Sequence, residues 1–170
     1  MCLKNFIWIL AVSLLLFYLA GYNITPEPSY RQISGQVTYV IDGDTFQLSS
    51  QLGNIRIRIA EIDAPELHQP FGQKAKSYLK GLIDSETIIC SIIEKDRYDR
   101  YIAKINVPRT RNLDVAAEMI RAGYAWHYKK YSTNQELANI EVLAKSKKQG
   151  LWSAPDAVAP WQYRQQQNIK

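Results

Sequence analysis

The sequence predicts an α+β domain, a small five-stranded β-barrel with about three α-helices, preceded by an N-terminal hydrophobic segment. Three observations carry this expectation. From Gly35 onward, GQVTYVI, TFQLSS and NIRIRIAEI alternate at period two, and two further β-branched runs follow at Thr87 to Glu94 and Arg100 to Val107. Between and after these runs the apolar spacing lengthens to that of a helix. The 170 residues, 46% of them hydrophobic, suit one domain with enough apolar side chain for a core.

Residues 1–21 read as a signal peptide or membrane anchor. Asn5 to Ala20 is uncharged, follows a single Lys4, and matches the roughly 17 residues of a minimal membrane span. Tyr18-Leu19-Ala20 presents a bulky tyrosine where signal peptidase needs a small residue, which favours an uncleaved anchor. Lys4 then stays cytoplasmic and the domain lies outside the cytoplasm. Cleavage would instead leave a secreted or periplasmic protein. Residues 22–34, with Pro26 and Pro28 and no periodicity, read as a linker.

The folded domain is expected over 35–153. Three strands form a meander, turning first at Asp42-Gly43-Asp44-Thr45 and again at Leu52-Gly53-Asn54. In Pro70 to Ile83, Ala75, Tyr78, Leu79 and Leu82 share one helical face, and Lys74, Lys76 and Lys80 face water. After the strand pair joined by Lys95 to Asp99, a second helix is expected at about Leu113 to Ala122, with Asn112 as N-cap and Gly123 closing it. A third starts at Thr133, boxed by Glu136, and ends at Gly150; Lys145, Lys147 and Lys148 suit the negative end of its dipole. Residues 154–170, with Pro155, Pro160 and a glutamine run, read as an extended tail from which Trp161 packs back.

Composition excludes several chemistries. His68 and His127 stand alone, with no second His or Cys at ligand spacing, against a zinc site or a histidine-based nuclease. No GxxxxGK loop is present. Cys2 and Cys90 form no expected disulfide, and Cys90, inside TIICSII, reads as buried and inert. A net charge of +5 favours polyanionic partners.

The chemistry gathers in Val40 to Glu66. Arg56 and Arg58 lie at period two on one strand face, and Asp44 and Asp63 stand at different strand ends, where both carboxylates can converge on one hard cation such as calcium. Arg56 reads as an exposed strand arginine and Glu61 as surface. Pro65 makes the bend after Asp63 rigid. Acids with arginines supply what phosphodiester hydrolysis requires: a positioned water, neutralisation of growing charge and help for the leaving oxygen. Downstream, GYAWHYKKYSTN interleaves aromatics with lysines, a mixture suited to base stacking and backbone neutralisation.

Three motifs in order, DGDT, then Arg58 to Glu66 as RIAEIDAPE, then Asp96 to Arg100 as DRYDR, resemble the staphylococcal nuclease (thermonuclease) family from about Gly35 to Trp152. The resemblance implies an OB-fold barrel and calcium held by Asp44, Asp63 and the backbone carbonyl of Ala64. Asp42 stands close behind the metal, Glu66 beside the attacking water, and Arg58 and Arg100 on the phosphate. Tyr131 is the match for a base-holding tyrosine, with Arg97 and Tyr98 further substrate contacts. The implied activity is a calcium-dependent, sequence-nonspecific endonuclease on DNA, extending to RNA, that leaves 3′-phosphates. A monomer is expected. The alternative is a weakly active or inactive nucleic-acid-binding OB-fold module tethered outside the cytoplasm. Two departures stand out: Ala64 replaces a threonine, and Asp99 replaces the usual glycine before Arg100, where its carboxylate is expected to compete with phosphate.

Overall fold

The computed structural model describes residues 30–108 and 112–168. Strands β1 (Arg31–Val40), β2 (Thr45–Ser50) and β3 (Gly53–Ile59) form the expected antiparallel meander, with Val40 opposite Phe46 and Ser50 opposite Gly53. A two-residue strand β4 (Ile62–Asp63) and helix α1 (Gly72–Ile83) follow. Then β5 (Thr87–Lys95) pairs with the free edge of β1, and β6 (Arg100–Val107) pairs with β5. Parallel pairing of β3 with β6, from Arg56 opposite Arg100 to Ile59 opposite Ala103, closes five strands into a barrel with no free edge between them.

Period two determines what fills the barrel. Phe46, Leu48, Ile57, Ile59, Ile88 and Cys90 are completely buried, and the apolar stripe of α1 adds Ala75, Leu79 and Ile83. Each such large side chain contributes about 1.5–3 kcal/mol by leaving water. Helix α2 (Val115–Arg121) follows the short strand β7 (Leu113–Asp114); β8 (Trp126–His127) pairs with β4; α3 (Gln135–Ser146) packs on α2. The chain ends with a short 3₁₀ turn (Gly150–Ser153) and α4 (Pro160–Asn168).

Several boundaries differ from expectation. β1 starts at Arg31, inside the predicted linker, because residues 31–34 have a distant partner: Arg31 lies opposite Ile92 and Ile33 opposite Cys90. The cap of α2 is Asp114, whose carboxylate accepts from Ala117 N, rather than Asn112; Leu113 and Asp114 are first held by β6. The cap of α3 is Asn134, accepting from Glu136 N and Leu137 N, rather than Thr133. Lys147 caps the far end of α3, with Gly150 beginning the next turn. The predicted extended tail is in part a fourth helix, α4, with Pro160 at its first position, where no amide is needed. The predicted N-terminal segment at 1–21 lies outside the described residues.

Candidate active site

The turn between β1 and β2 is built to hold Asp44 inward. Asp44 N donates to Asp42 Oδ1 at 2.9 Å, the local bond that makes Asp-Gly-Asp a tight turn, and Ile41 N and Asp42 N both donate to Thr45 O. Asp44 is 7% exposed; its Oδ1 accepts the Thr45 hydroxyl and its Oδ2 accepts Ala64 N at 3.0 Å. That last bond spans 20 residues and joins the two acid-bearing segments. Gly43 permits the approach, since a Cβ there would lie 2.6 Å from Ala64 Cβ and 2.8 Å from Ala75 Cβ.

Arg58 is the hub. Its Nη1 donates to the carbonyls of Ile59 and Ile62, and its Nη2 reaches Asp63 Oδ1 at 3.0 Å and Asp44 Oδ2 at 3.3 Å. One guanidinium therefore fixes the bend between β3 and β4 and holds two carboxylates together. Asp63 is 1% exposed. Glu66 is held by its backbone: its amide donates to Gln69 Oε1, its carbonyl accepts from Gln69 N, and α1 begins against it at Gly72, where a Cβ would strike Glu66 O at 1.9 Å. Its side chain faces the cleft, 40% exposed.

Arg100 enters from the β5–β6 turn. Its Nε and Nη2 grip Asp96 Oδ2 at 2.9 and 2.8 Å, and its amide donates to Asp96 Oδ1. Burial works against the Asp96 carboxylate, but the Arg100 and Tyr98 hydrogen bonds prevail and hold its pKa below the usual range. Asp99 has the left-handed backbone that glycine would favour (φ 64°), yet its side chain turns away and pairs with Lys95 at 2.6 Å. Asp96, not Asp99, is thus the carboxylate that holds Arg100. Arg97 lies over the exposed Tyr98 ring and donates to its hydroxyl.

The opposite wall is the loop after β8. Ser132 Oγ donates to Glu61 Oε1 and meets His127 Nε2, both at 2.9 Å, and Tyr128 N donates to Glu61 O. Glu61, predicted as surface, is the post to which this loop is tied, at a positive φ of 68°. Tyr128 and Tyr131 meet edge to face, with Tyr131 67% exposed.

Asp42, Asp44, Arg58, Asp63, Ala64, Glu66, Arg97, Tyr98, Arg100 and Tyr131 all line one cleft of about 1200 Å³. Two residues that the sequence did not assign to the site join them: Arg56, read as an exposed strand arginine, and Arg164. Arg56 donates to Tyr98 O, bracing the β5–β6 turn. Arg164, from α4, donates from Nη2 to Asp63 Oδ2 and from Nη1 to Glu66 Oε1, each at 2.7 Å. No local pattern marks Arg164, because its partners lie about a hundred residues earlier.

The electrostatics are those of crowded acids. Burial and the neighbouring Asp44 carboxylate push Asp42 up to about 7. Burial also raises Asp63, more than Arg164 and Arg58 lower it. Both arginines are pushed above their ordinary value: burial opposes this, but the acids outweigh it. Among the described residues no three His, Cys, Asp or Glu side chains converge as a ready metal cluster. Asp44 and Asp63 nevertheless offer carboxylate oxygens of the kind hard divalent ions take, beside Asp42, whose ionisation burial and Asp44 oppose and a nearby cation would favour. The residues fit calcium better than zinc.

A model described as staphylococcal nuclease homologue matches residues 56–154, a span that takes in Arg58, Asp63, Glu66, Arg100 and Tyr131. The chain is 33% identical over 149 residues to a micrococcal nuclease of Shigella flexneri, covering 83% of this chain and 86% of the relative. It is 36% identical over 132 residues to an uncharacterised endonuclease of Escherichia coli O157:H7, at 78% and 85% coverage. An uncharacterised endonuclease of Haemophilus influenzae is 35% identical over 162 residues, at 95% and 87% coverage. With a closed five-stranded barrel carrying acids and arginines in one cleft, and with this similarity along most of its length, the chain belongs to the staphylococcal nuclease family.

Proposed function

We propose that the protein is a calcium-dependent, largely sequence-nonspecific endonuclease that hydrolyses DNA, and RNA as a second substrate, to 3′-phosphorylated products. The observation that carries this reading is Arg58 held against Asp44 and Asp63 in the same cleft as Glu66 and Arg100. Asp44, Asp63 and the Ala64 carbonyl would hold the calcium, with Asp42 behind them. Bound there, calcium would neutralise charge growing on the phosphate oxygens.

Glu66, half exposed and with backbone tied down, orients the attacking water and takes its proton. Arg58 here gives its Nη2 to the two acids, and once a cation takes over their charge that Nη2 would be released to a phosphate at the cleft floor. Arg100, aligned by Asp96 through Nε and Nη2, offers its outer donors to a phosphate oxygen. Arg97, Tyr98 and Tyr131 hold the nucleotide at the rim by charge and stacking, which read no sequence. The apolar run at Asn5 to Ala20 supports action outside the cytoplasm.

The test is hydrolysis of single-stranded and duplex DNA by the full chain, with calcium and with chelator. Arg58→Ala and Glu66→Ala are each expected to lower the rate about 10²–10³-fold, the cost of losing one preorganised contact to a transition state. DNA binding without calcium-dependent cleavage by the wild type would instead establish the binding-module reading.

A further inference from the structure

Helix α4 is odd for its composition. Its sequence, PWQYRQQQN, carries almost no apolar face, yet several contacts dock it. Gln69 Nε2 donates to Val158 O at 2.6 Å just before it, Trp161 stacks on Tyr128, and Arg164 pairs with Asp63 and Glu66. The Trp161 and Tyr128 rings are nearly parallel, 4° apart with centroids 5.3 Å from each other. Trp161 and Arg164 are three residues apart, on one face of the helix.

The Arg164 contact falls on two acids that the proposed reaction needs, and the Trp161 contact on Tyr128, the ring that meets the base-holding Tyr131 edge to face. The Arg164 guanidinium brings a positive charge onto two carboxylates, one of them 1% exposed, where a divalent cation would bring two. It engages both oxygens of Asp63: Oδ2 at 2.7 Å and Oδ1 at 3.3 Å. The Trp161 indole covers a face of an aromatic ring in the tyrosine pair beside the cleft. A helix that served only stability would not need to place a cation and an aromatic plane on these two groups.

We propose that α4 is an intramolecular cap: Arg164 is the resident counter-charge of the acid pair and Trp161 the resident stacking partner of Tyr128, so calcium and nucleic acid must displace the helix to bind. The proposal rests on the nuclease reading for its biological meaning, though not for its test. Arg164 and Glu66 are each 40% exposed, so water reaches that pair, while the Asp63 carboxylate is buried, and there a divalent cation brings two charges where the guanidinium brings one.

The test titrates calcium chloride alone into the full chain by calorimetry, for wild type and Arg164→Gln, and follows amide hydrogen exchange across 160–168 in the wild type. Removing a competing cation next to the acids is expected to tighten calcium binding about tenfold. Calcium is expected to speed exchange in α4. Equal or weaker calcium affinity in Arg164→Gln, with α4 exchange unchanged by calcium, would overturn the cap. So would a loss of kcat in Arg164→Gln at unchanged calcium affinity, which would make Arg164 a phosphate contact. If no form cleaves DNA, the nuclease reading fails while the calcium titration still decides the cap.

Discussion

Gly43 shows how a single missing methyl sets the site. The Asp42–Thr45 turn rests directly on Ala64 and Ala75, and a Cβ at Gly43 would lie within 2.8 Å of both methyl carbons. Gly43→Ala is expected to cost about 1–3 kcal/mol by overpacking, read as a lower urea midpoint, and to lower activity by moving Asp44 off Ala64 N. Neighbouring acids differ sharply in effect. Asp99→Gly should leave the rate within about twofold, since Asp99 pairs with exposed Lys95 and glycine accepts its left-handed backbone. Asp96→Ala removes the carboxylate that aligns Arg100 and closes the turn, so kcat/KM should fall well beyond that range; equal effects of the two substitutions would refute this assignment. The motif acids and arginines were legible because turn chemistry and period two act locally. Which acid held Arg100 was not, because both candidates lie in one five-residue turn and only the backbone path separates them.

At the scale of elements, local rules located the five barrel strands and helices α1, α2 and α3, and failed where tertiary contacts chose among neighbours. Asn112, Asp114, Thr133 and Asn134 all have capping chemistry, but β6 claims Leu113 and Asp114, and the Ser132 tie shortens α3 to begin after Asn134. Asn134→Ala should cost about 1 kcal/mol in denaturant unfolding, and Thr133→Ala much less. Helix α4 lacked an apolar stripe, so periodicity gave no sign of it; ring stacking and ion pairs to distant residues order it instead. The loop bearing Tyr128 and Tyr131 is held through His127, Ser132 and Glu61, which makes it sensitive to pH. Burial lowers the His127 pKa despite Glu141, so the unfolded chain takes up a proton that the folded one resists. Its contribution to stability is therefore present above its ordinary pKa of about 6.5 and is lost as pH falls below it. Asp42, raised to about 7, acts in the opposite sense, so the measurement is a comparison. The stability advantage of wild type over His127→Gln should shrink between pH 7.5 and 5.5 in urea titrations.

At the scale of the whole molecule, barrel closure makes Cys90 a reporter of global opening. It lies on β5 between Ile33 of β1 and Ile105 of β6, is completely buried, and its thiol is pushed up to about 12 by burial. The reactive species is the thiolate, so both access and ionisation block it in the folded state. No local motion of a loop would expose it: the closed ring of β1, β2, β3, β6 and β5 leaves no edge strand to peel away. A thiol reagent should therefore leave Cys90 unlabelled in the native chain and label it in denaturant. The slow native labelling of Cys90 should follow the global unfolding equilibrium. A ligand that binds only the folded state slows that labelling by the factor 1 + [L]/Kd. Calcium should thus protect Cys90 in wild type, and in Asp44→Asn it should not. Labelling that is fast in the native state, or indifferent to calcium in wild type, would mean that the barrel opens locally at β5 or that the acids hold no cation.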